Sequence, residues 1–157
     1  MAVREIVQYG DEHLNKICDT VVEINEEIKN LIKDLKDTLS TVDGVGLASP
    51  QIAVNKRVVL IDVSPDNTDP IILINPKVLE MSKETDKDYE GCLSYVGHEG
   101  IVERPIKMVV EALNEEGTLI KYNVDNFMAR VFCHEMDHLD GIVYMDKAEE
   151  MYELVEE

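Results

Sequence analysis

The chain has 157 residues and a net charge of −18 at pH 7, with 15 Lys and Arg against 33 Asp and Glu. This balance argues against a nucleic-acid-binding module and against docking on an anionic membrane, so neither partner is expected. A hydrophobic content of 45% excludes a disordered acidic chain, and no apolar run approaches the about 20 residues of a membrane span.

The N-terminus and the cysteines bear on the cellular compartment. The first ten residues mix charges with apolar residues, unlike a secretory signal, which predicts a cytoplasmic location. The three cysteines, Cys18, Cys92 and Cys133, cannot all pair with one another, and a chain of this length folds without disulfides. A free thiol is therefore available for chemistry.

The first predicted element is an amphipathic helix over residues 24–42, where apolar residues recur at spacings of three and four. Residues 43–51 contain Gly, Ser and Pro without any period, which predicts a loop. Two short runs rich in β-branched residues, 57–63 and 71–74, are bounded by turn residues and are predicted to be strands.

A hairpin and a second helix are predicted in the second half of the chain. Residues 101–124 have β character and are interrupted by turn residues at 114–117. The helix that follows has Asp125 or Asn126 as its N-cap and ends before Gly141.

The organisation of the chain predicts one domain over residues 1–157, because no linker, repeat or low-complexity tract divides it. The acidic tail, 146–157, is expected either to form a short surface helix or to fray. The fold class is α+β, with mixed or antiparallel sheets packed around the second helix and an amphipathic helix near the N-terminus.

The second helix carries the sequence HEMDH at residues 134–138. Two histidines four positions apart lie one above the other on a helix, so His134 and His138 can reach one cation. Glu135 can then reach a water on that cation. The alternative is that the histidines cap the helix C-terminus, where their protonated form favours the helix dipole.

A catalytic site of this type needs a third protein ligand, and the residues alone leave several candidates open. The longer zincin motif would place a histidine where this chain has Tyr144. Cys133 points about 100° away from His134 around the helix, and Cys18 lies in an apolar neighbourhood typical of an inert thiol. Cys92 lies in a turn-like segment whose glycine lets the backbone approach a site closely. The remaining candidates are His98, His13, Glu149 and Glu150.

Three segments in this order carry a family resemblance: residues 44–51 (GVGLASPQ), 90–94 (EGCLS) and 134–138 (HEMDH). They resemble the motifs of peptide deformylases, which normally read GxGLAAxQ, EGCLS and HExDH. The segments at 1–43, 58–62 and 73–76 also follow the family pattern, so the resemblance covers nearly the whole chain. It implies a metal-dependent hydrolase that removes the N-formyl group from formyl-methionyl nascent polypeptides and releases formate.

Carried over position by position, the resemblance makes Cys92, His134 and His138 the metal ligands and Glu135 the general acid and base. It implies Fe(II) as the physiological ion, with Zn, Ni or Co able to occupy the site. One thiolate and two imidazoles suit any of these ions, so the ligand set does not choose the metal.

The resemblance also assigns residues to the substrate. Gln51 and the backbone N–H of Leu93 would donate to the oxyanion, each donor being worth on the order of 3 kcal/mol, and Gly46 would contact the substrate backbone. The alternative for Gln51 is a loop amide bonded to the backbone. Three apolar residues resemble the pocket for the methionine side chain, with core packing as their other interpretation: Val45, Phe127 and Val131.

Several positions bear on how fully the family pattern holds. Glu90 resembles a carboxylate that orients metal ligands from behind. Ser49 replaces the usual second alanine, and Val96 stands where many members have proline. Glu99 occupies the position of an arginine that many bacterial members use on the substrate backbone, and Arg104 lies nearby in sequence. No long basic C-terminal helix follows the motifs, so contact with the ribosome is expected to be at most transient.

Two other functions fit part of the pattern. An HExxH endopeptidase would cut internal peptide bonds and would need a long open cleft, for which 157 residues leave little room. A structural metal site would close the fourth coordination position with a protein ligand.

Overall fold

The computed structural model describes residues 2–63 and 69–154, which form two α-helices and eight strands. Short 3-10 turns cover Glu12–Asn15, Ser49–Ile52 and Tyr144–Asp146. None of the described helices is long and apolar enough to cross a membrane. In chain order the helices and strands are α1 Glu26–Leu39, β1 Gly46–Ala48, β2 Val58–Ile61, β3 Ile71–Met81, β4 Thr85–Cys92, β5 Tyr95–Pro105, β6 Lys107–Leu113, β7 Leu119–Asp125, α2 Asn126–Leu139 and β8 Glu150–Glu153.

Helix α1 lies where the apolar periodicity predicts a helix, with both ends moved inward. Its N-terminus is fixed by Asn25, whose side chain accepts a hydrogen bond from the backbone N–H of Ile28 at 3.1 Å. At the other end the hydroxyls of Ser40 and Thr41 donate to backbone carbonyls three residues earlier. These side-chain bonds compete with the helical pattern, so the helix ends at Leu39.

The strands form two antiparallel sheets, which is one of the two arrangements that the sequence leaves open. One has five strands in the order β1-β2-β3-β6-β7 and the other has three in the order β4-β5-β8. Strands β6 and β7 are the two arms of the predicted hairpin and pair Leu113 with Leu119. The Asn114 side chain closes the turn by accepting hydrogen bonds from the N–H groups of Glu116 and Thr118.

The five-stranded sheet is covered by α1 on one face and by α2 on the other. Val58 and Leu60 of β2 pack with α1, whereas Val59 and Ile61 pack with α2. This burial on both faces explains why β2 is a continuous apolar run. Helix α2 also contacts β5 of the three-stranded sheet, which places one face of the helix between the two sheets.

The structure corrects the predicted conformation of two motif segments and adds a strand that was not predicted. Residues 43–51 do not form only a loop, because β1 pairs with β2 and the 3-10 turn Ser49–Ile52 follows it, and a three-residue strand is too short to show a period. Within 90–94, Glu90 and Cys92 belong to β4 and the turn lies just after them. Strand β4 was not predicted because its side chains are mostly exposed and charged.

Strand β3 extends well beyond the predicted 71–74 because a bulge accommodates Pro76. The pairing of β3 with β6 shifts between Ile74 and Lys77, and Asn75 adopts a positive φ of 53°. The Asn75 side chain exchanges two hydrogen bonds with the backbone of Val21, which holds the bulge in place.

The acidic tail is neither a helix nor frayed where it is described, because β8 pairs with β5. This pairing brings the two backbones close together at Gly100, where an added Cβ would lie 2.9 Å from the carbonyl oxygen of Glu150. Residues 155–157 of the tail, and the turn residues 64–68 that bound the first predicted strand, lie outside the described residues.

Candidate metal centre

The structure brings together the three side chains that the family resemblance assigns as metal ligands. His134 and His138 lie one turn apart on α2, and Cys92 reaches them from the end of β4. The three ligand atoms all lie within 4.8 Å of one another, and Cys92 Sγ is 3.5 Å from His138 Nε2. One thiol and two imidazoles at this spacing fit a single divalent transition metal ion.

The other candidates for the third ligand lie elsewhere. Cys133 points into the core towards Met108, with 3.5 Å between the two sulfur atoms, and Cys18 is buried in the same core. His13 is bonded to Asp11, His98 stacks on Tyr95, Glu149 pairs with Lys87, and Glu150 accepts a hydrogen bond from Tyr152.

Cys92 is held by the turn between β4 and β5 and by two polar neighbours. The Ser94 N–H points at Cys92 Sγ from 3.4 Å, and the Gln51 side-chain nitrogen does so from 3.6 Å. Gln51 also donates to the Ser94 hydroxyl at 3.1 Å. Ser94 was not singled out from the sequence, although it closes the EGCLS motif.

The orientation of Gln51 follows from its hydrogen bonds. Its side-chain oxygen accepts from the backbone N–H of Ala48 at 2.9 Å, so its amide nitrogen faces Cys92 and the pocket. Gln51 is therefore a buried amide that uses its oxygen for the backbone and turns its donor towards the candidate site. Ser49 beside it is accommodated because its hydroxyl donates to the carbonyl of Val58 at 3.1 Å.

Glu90 connects the metal-ligand cluster, which is the group of candidate ligands Cys92, His134 and His138, to two arginines. Its carboxylate lies 2.9 Å from His134 Nδ1, accepts two hydrogen bonds from Arg104, and accepts a third from Arg130 at 2.8 Å. Burial alone would raise the pKa of Glu90, but the hydrogen bonds from Arg104 and His134 outweigh burial and lower this pKa to about 2. The charged carboxylate fixes the His134 tautomer, so Nε2 remains free to bind a metal ion.

All the hydrogen bonds that the Arg104 guanidinium makes within the described part of the chain go to Glu90 and Asp137. Arg104 therefore does not replace the arginine that many bacterial members have at the position of Glu99. It is 3% exposed, donates to both carboxylate oxygens of Glu90, and donates to Asp137 at 2.7 Å. Glu99 lies on β5 opposite Tyr152 of β8 and does not line the pocket. A cationic side chain is thus absent from the rim of the pocket among the described residues that line it, since Arg130 is buried.

Glu135 points into the pocket beside the metal-ligand cluster. Its burial raises its pKa to about 7, which suits a group that takes and returns a proton near neutral pH. One of its oxygens, Oε1, has no hydrogen-bond partner among the described residues. Gly46 allows β1 to approach it, because a Cβ at this position would lie 2.7 Å from Glu135 Oε2.

A pocket of about 460 Å³ opens next to Glu135. Leu93 and Gly46 line it, together with the three predicted apolar residues. Val131 is buried at its base, whereas Val45 and Phe127 are 37% and 58% exposed and form its rim. Val131 therefore packs in the core and lines the pocket at once, while Phe127 is not a core residue. Residues that the sequence did not single out also line the pocket: Asp43, Tyr89 and Gly97.

Known proteins resemble this chain over nearly its whole length. The model of the family described as polypeptide deformylase matches residues 3–153. The chain is 59% identical to peptide deformylase 2 of Clostridium perfringens over 156 residues, which cover 99% of both chains. It is 45% identical to peptide deformylase 1 of Clostridium acetobutylicum over 150 residues, covering 96% of this chain and 97% of the relative.

Solved structures agree with the sequence comparisons. The crystal structure of a peptide deformylase from Legionella pneumophila has a TM-score of 0.91 and 34% identity, covering 94% of this chain and 87% of that chain. The peptide deformylase of Thermotoga maritima has a TM-score of 0.90 and 33% identity, covering 96% of this chain and 100% of that chain. The chain therefore belongs to the peptide deformylase family.

Proposed function

We propose that this protein hydrolyses the formyl-amide bond of polypeptides that begin with formyl-methionine, releasing formate and a free α-amine. The observation that carries this proposal is the meeting of a Cys-His-His cluster with the buried carboxylate of Glu135, whose Oε1 has no hydrogen-bond partner among the described residues, at an apolar pocket. Membership of the peptide deformylase family supports the same reaction.

We assign Cys92, His134 and His138 as the ligands of one divalent ion, which would lower the pKa of a water molecule and polarise the formyl oxygen. The thiolate and imidazole donors suit Fe(II), which we propose as the physiological ion, and they also suit Zn, Ni and Co. Glu90 supports the assignment, because its hydrogen bond to His134 Nδ1 directs the other ring nitrogen towards Cys92.

The remaining steps belong to side chains and backbone groups of the chain. Glu135 takes a proton from a water molecule while the oxygen of that water adds to the formyl carbon. Glu135 then returns the proton to the α-nitrogen of the peptide as the C–N bond breaks. The Gln51 amide nitrogen and the Leu93 N–H donate to the oxyanion that develops on the formyl oxygen. Gly46, which is on the edge strand β1 and lines the pocket, offers its backbone to the substrate.

Selectivity for the first residue of the substrate should come from Val45, Phe127 and Val131. Replacing formyl-Met by formyl-Gly in an otherwise identical peptide removes a side-chain burial expected to contribute about 1.5 to 3 kcal/mol. The kcat/KM should therefore fall roughly tenfold or more. Equal kcat/KM values for the two peptides would show that the pocket does not bind the methionine side chain.

The identity of the ion should control the stability of the enzyme in air. The Fe(II) form should lose activity faster than the Ni(II) form, because Fe(II) beside the Cys92 thiolate reacts with oxygen and exposes the sulfur to oxidation. The half-life of each form is measured in air and under argon after loading the same apoprotein. Equal half-lives in air would count against Fe(II) as the ion at Cys92.

The direct test of the function is anaerobic incubation of the protein with formyl-Met-Ala-Ser, followed by measurement of formate and free amine. The two products should form in equal amounts. An HExxH endopeptidase would instead cut blocked peptides internally, and a structural metal site would release neither product. Among the described residues the cluster supplies three candidate ligand atoms, whereas a structural site of this type would have four protein ligands, which disfavours the structural site.

We further propose that residues 1–157 act as a single catalytic domain. The family model spans 3–153, and α2 packs against both sheets, which supports one cooperative unit. The proposed partner is the formylated nascent polypeptide, which places the enzyme in the cytoplasm with at most transient contact with the ribosome. The net charge of −18 supports the absence of direct nucleic-acid and membrane partners.

A further inference from the structure

Tyr144 lies directly behind the metal-ligand cluster although the proposed reaction does not use it. The residue begins the 3-10 turn after α2 and is 1% exposed. Its ring stacks on the His134 imidazole, with 5.8 Å between ring centroids and 27° between the planes. His138 approaches the same imidazole at a steep angle of 75°, with 5.2 Å between centroids.

A tight reversal of the chain brings Tyr144 back over the helix. Helix α2 ends at Leu139, and Gly141 follows with a φ of 74°. A Cβ at Gly141 would lie 2.8 Å from the backbone carbon of Asn15, so only glycine fits the turn. The N–H of Ile142 then bonds back to the carbonyl of Asp137 at 3.0 Å.

The same stretch of chain supplies a third histidine ligand in the longer HExxH motif, at the position of Tyr144. In this protein Cys92 stands in the ligand cluster, and the returning segment contributes an aromatic ring instead. That ring packs against His134, one of the two candidate ligands that α2 supplies. The turn therefore still serves the metal site, by contact with a ligand.

His134 needs more than one restraint to hold its ring. The hydrogen bond between Nδ1 and Glu90 restrains the imidazole at one nitrogen, but coupled changes of χ1 and χ2 can still tilt the ring plane while that bond is kept. A ring stacked on the imidazole face resists that tilt. The Tyr144 hydroxyl has no hydrogen-bond partner among the described residues, so the ring itself makes the relevant contact.

We infer that Tyr144 is a positioning residue whose ring fixes the plane of the His134 imidazole and so directs its Nε2 towards the metal ion. This inference rests on the proposed metal site and not on the proposed deformylation reaction. Because the ring of Tyr144 and not its hydroxyl contacts His134, phenylalanine at this position should hold the imidazole as tyrosine does, and an aliphatic residue should not.

The test compares Tyr144→Phe and Tyr144→Leu with a matched core substitution, Phe132→Leu. Phe132 is also a fully buried aromatic residue and lies on α2 two residues before His134. Its ring, however, packs against Tyr122. Co(II) affinity is measured by competition with a chromophoric chelator, and the absorption bands of the Co(II) protein report the ligand geometry. Values of kcat and KM are taken at saturating Co(II), and the melting temperature is recorded for each variant.

Tyr144→Leu should weaken Co(II) binding about 10-fold to 100-fold and shift the Co(II) absorption bands. Tyr144→Phe should stay within threefold of the parent with unchanged bands. Phe132→Leu should lower the melting temperature while Co(II) affinity stays within threefold of the parent. If Tyr144→Leu does not fold, Tyr144→Met replaces it, since methionine fills much of the volume without a ring and should show the same loss.

The inference is overturned if the aliphatic variant binds Co(II) as the parent does with unchanged bands, or if Tyr144→Phe loses as much affinity as Tyr144→Leu. It is also overturned if Phe132→Leu weakens Co(II) binding equally, because general loosening of the core would then explain the effect. Failure of the parent to bind Co(II) would overturn the proposed metal site itself. Normal Co(II) binding without formate release would overturn only the proposed reaction.

Discussion

Replacing Glu135 by glutamine should lower kcat by about 10⁴-fold or more while leaving the metal content and KM nearly unchanged. The amide keeps the size and position of the side chain, which is buried beside Gly46 with no room for a larger group. It cannot take a proton from water or return one to the leaving nitrogen. Because one residue serves both halves of the reaction, the loss should lie at or beyond the upper end for acid-base catalysis.

The measurement is kcat of the metal-loaded Glu135→Gln protein with formyl-Met-Ala-Ser, beside elemental analysis of the same sample. Glu116→Gln makes the same chemical change on an exposed turn and should behave as the parent. A kcat within threefold of the parent would remove Glu135 from the mechanism and, with it, the hydrolytic role of the HExxH helix.

Elements with a clear hydrophobic period were predictable from the sequence. Both helices and the β6–β7 hairpin lie where their patterns place them, because each buries one face of a regular element. Strand β1 is too short for a period, and the hairpin formed by β4 and β5 carries many exposed charged side chains. Strand β8 is exposed along its whole length and exists through pairing with β5. Tertiary pairing, which local patterns do not record, determines these strands.

The residues of the candidate site also fall into a group that the sequence predicts and a group that it does not. His134, Glu135 and His138 could be named in advance as candidates because one short motif holds them at fixed spacings, whereas Cys92 was named through the family resemblance. The arginines on Glu90 could not, since Arg104 and Arg130 are 14 and 40 residues away from it along the chain. The motif also gave no sign that Tyr144 stacks on His134, because that contact depends on the turn at Gly141.

The three cysteines offer an internal comparison for the metal site. Replacing Cys92 by alanine should leave less than about a tenth of a metal ion per chain after dialysis, because two imidazoles without the thiolate bind a divalent ion far more weakly. Cys18→Ala and Cys133→Ala should both keep close to one ion per chain. Burial raises the pKa of both control thiols, that of Cys133 to about 11, so neither is a thiolate available to a metal ion.

Elemental analysis of the three variants after dialysis gives the metal content per chain, which shows whether each cysteine is a metal ligand. Circular dichroism checks that each variant is folded, since Cys18 and Cys133 both belong to the core beneath α2 and their truncation should lower the melting temperature. Cys92 is only half-buried at the pocket, so its truncation should cost little packing and the loss of metal should stand apart from any loss of fold. Full metal content in Cys92→Ala would exclude Cys92 as the third ligand and leave the two histidines without the thiolate on which the proposed Fe(II) chemistry depends.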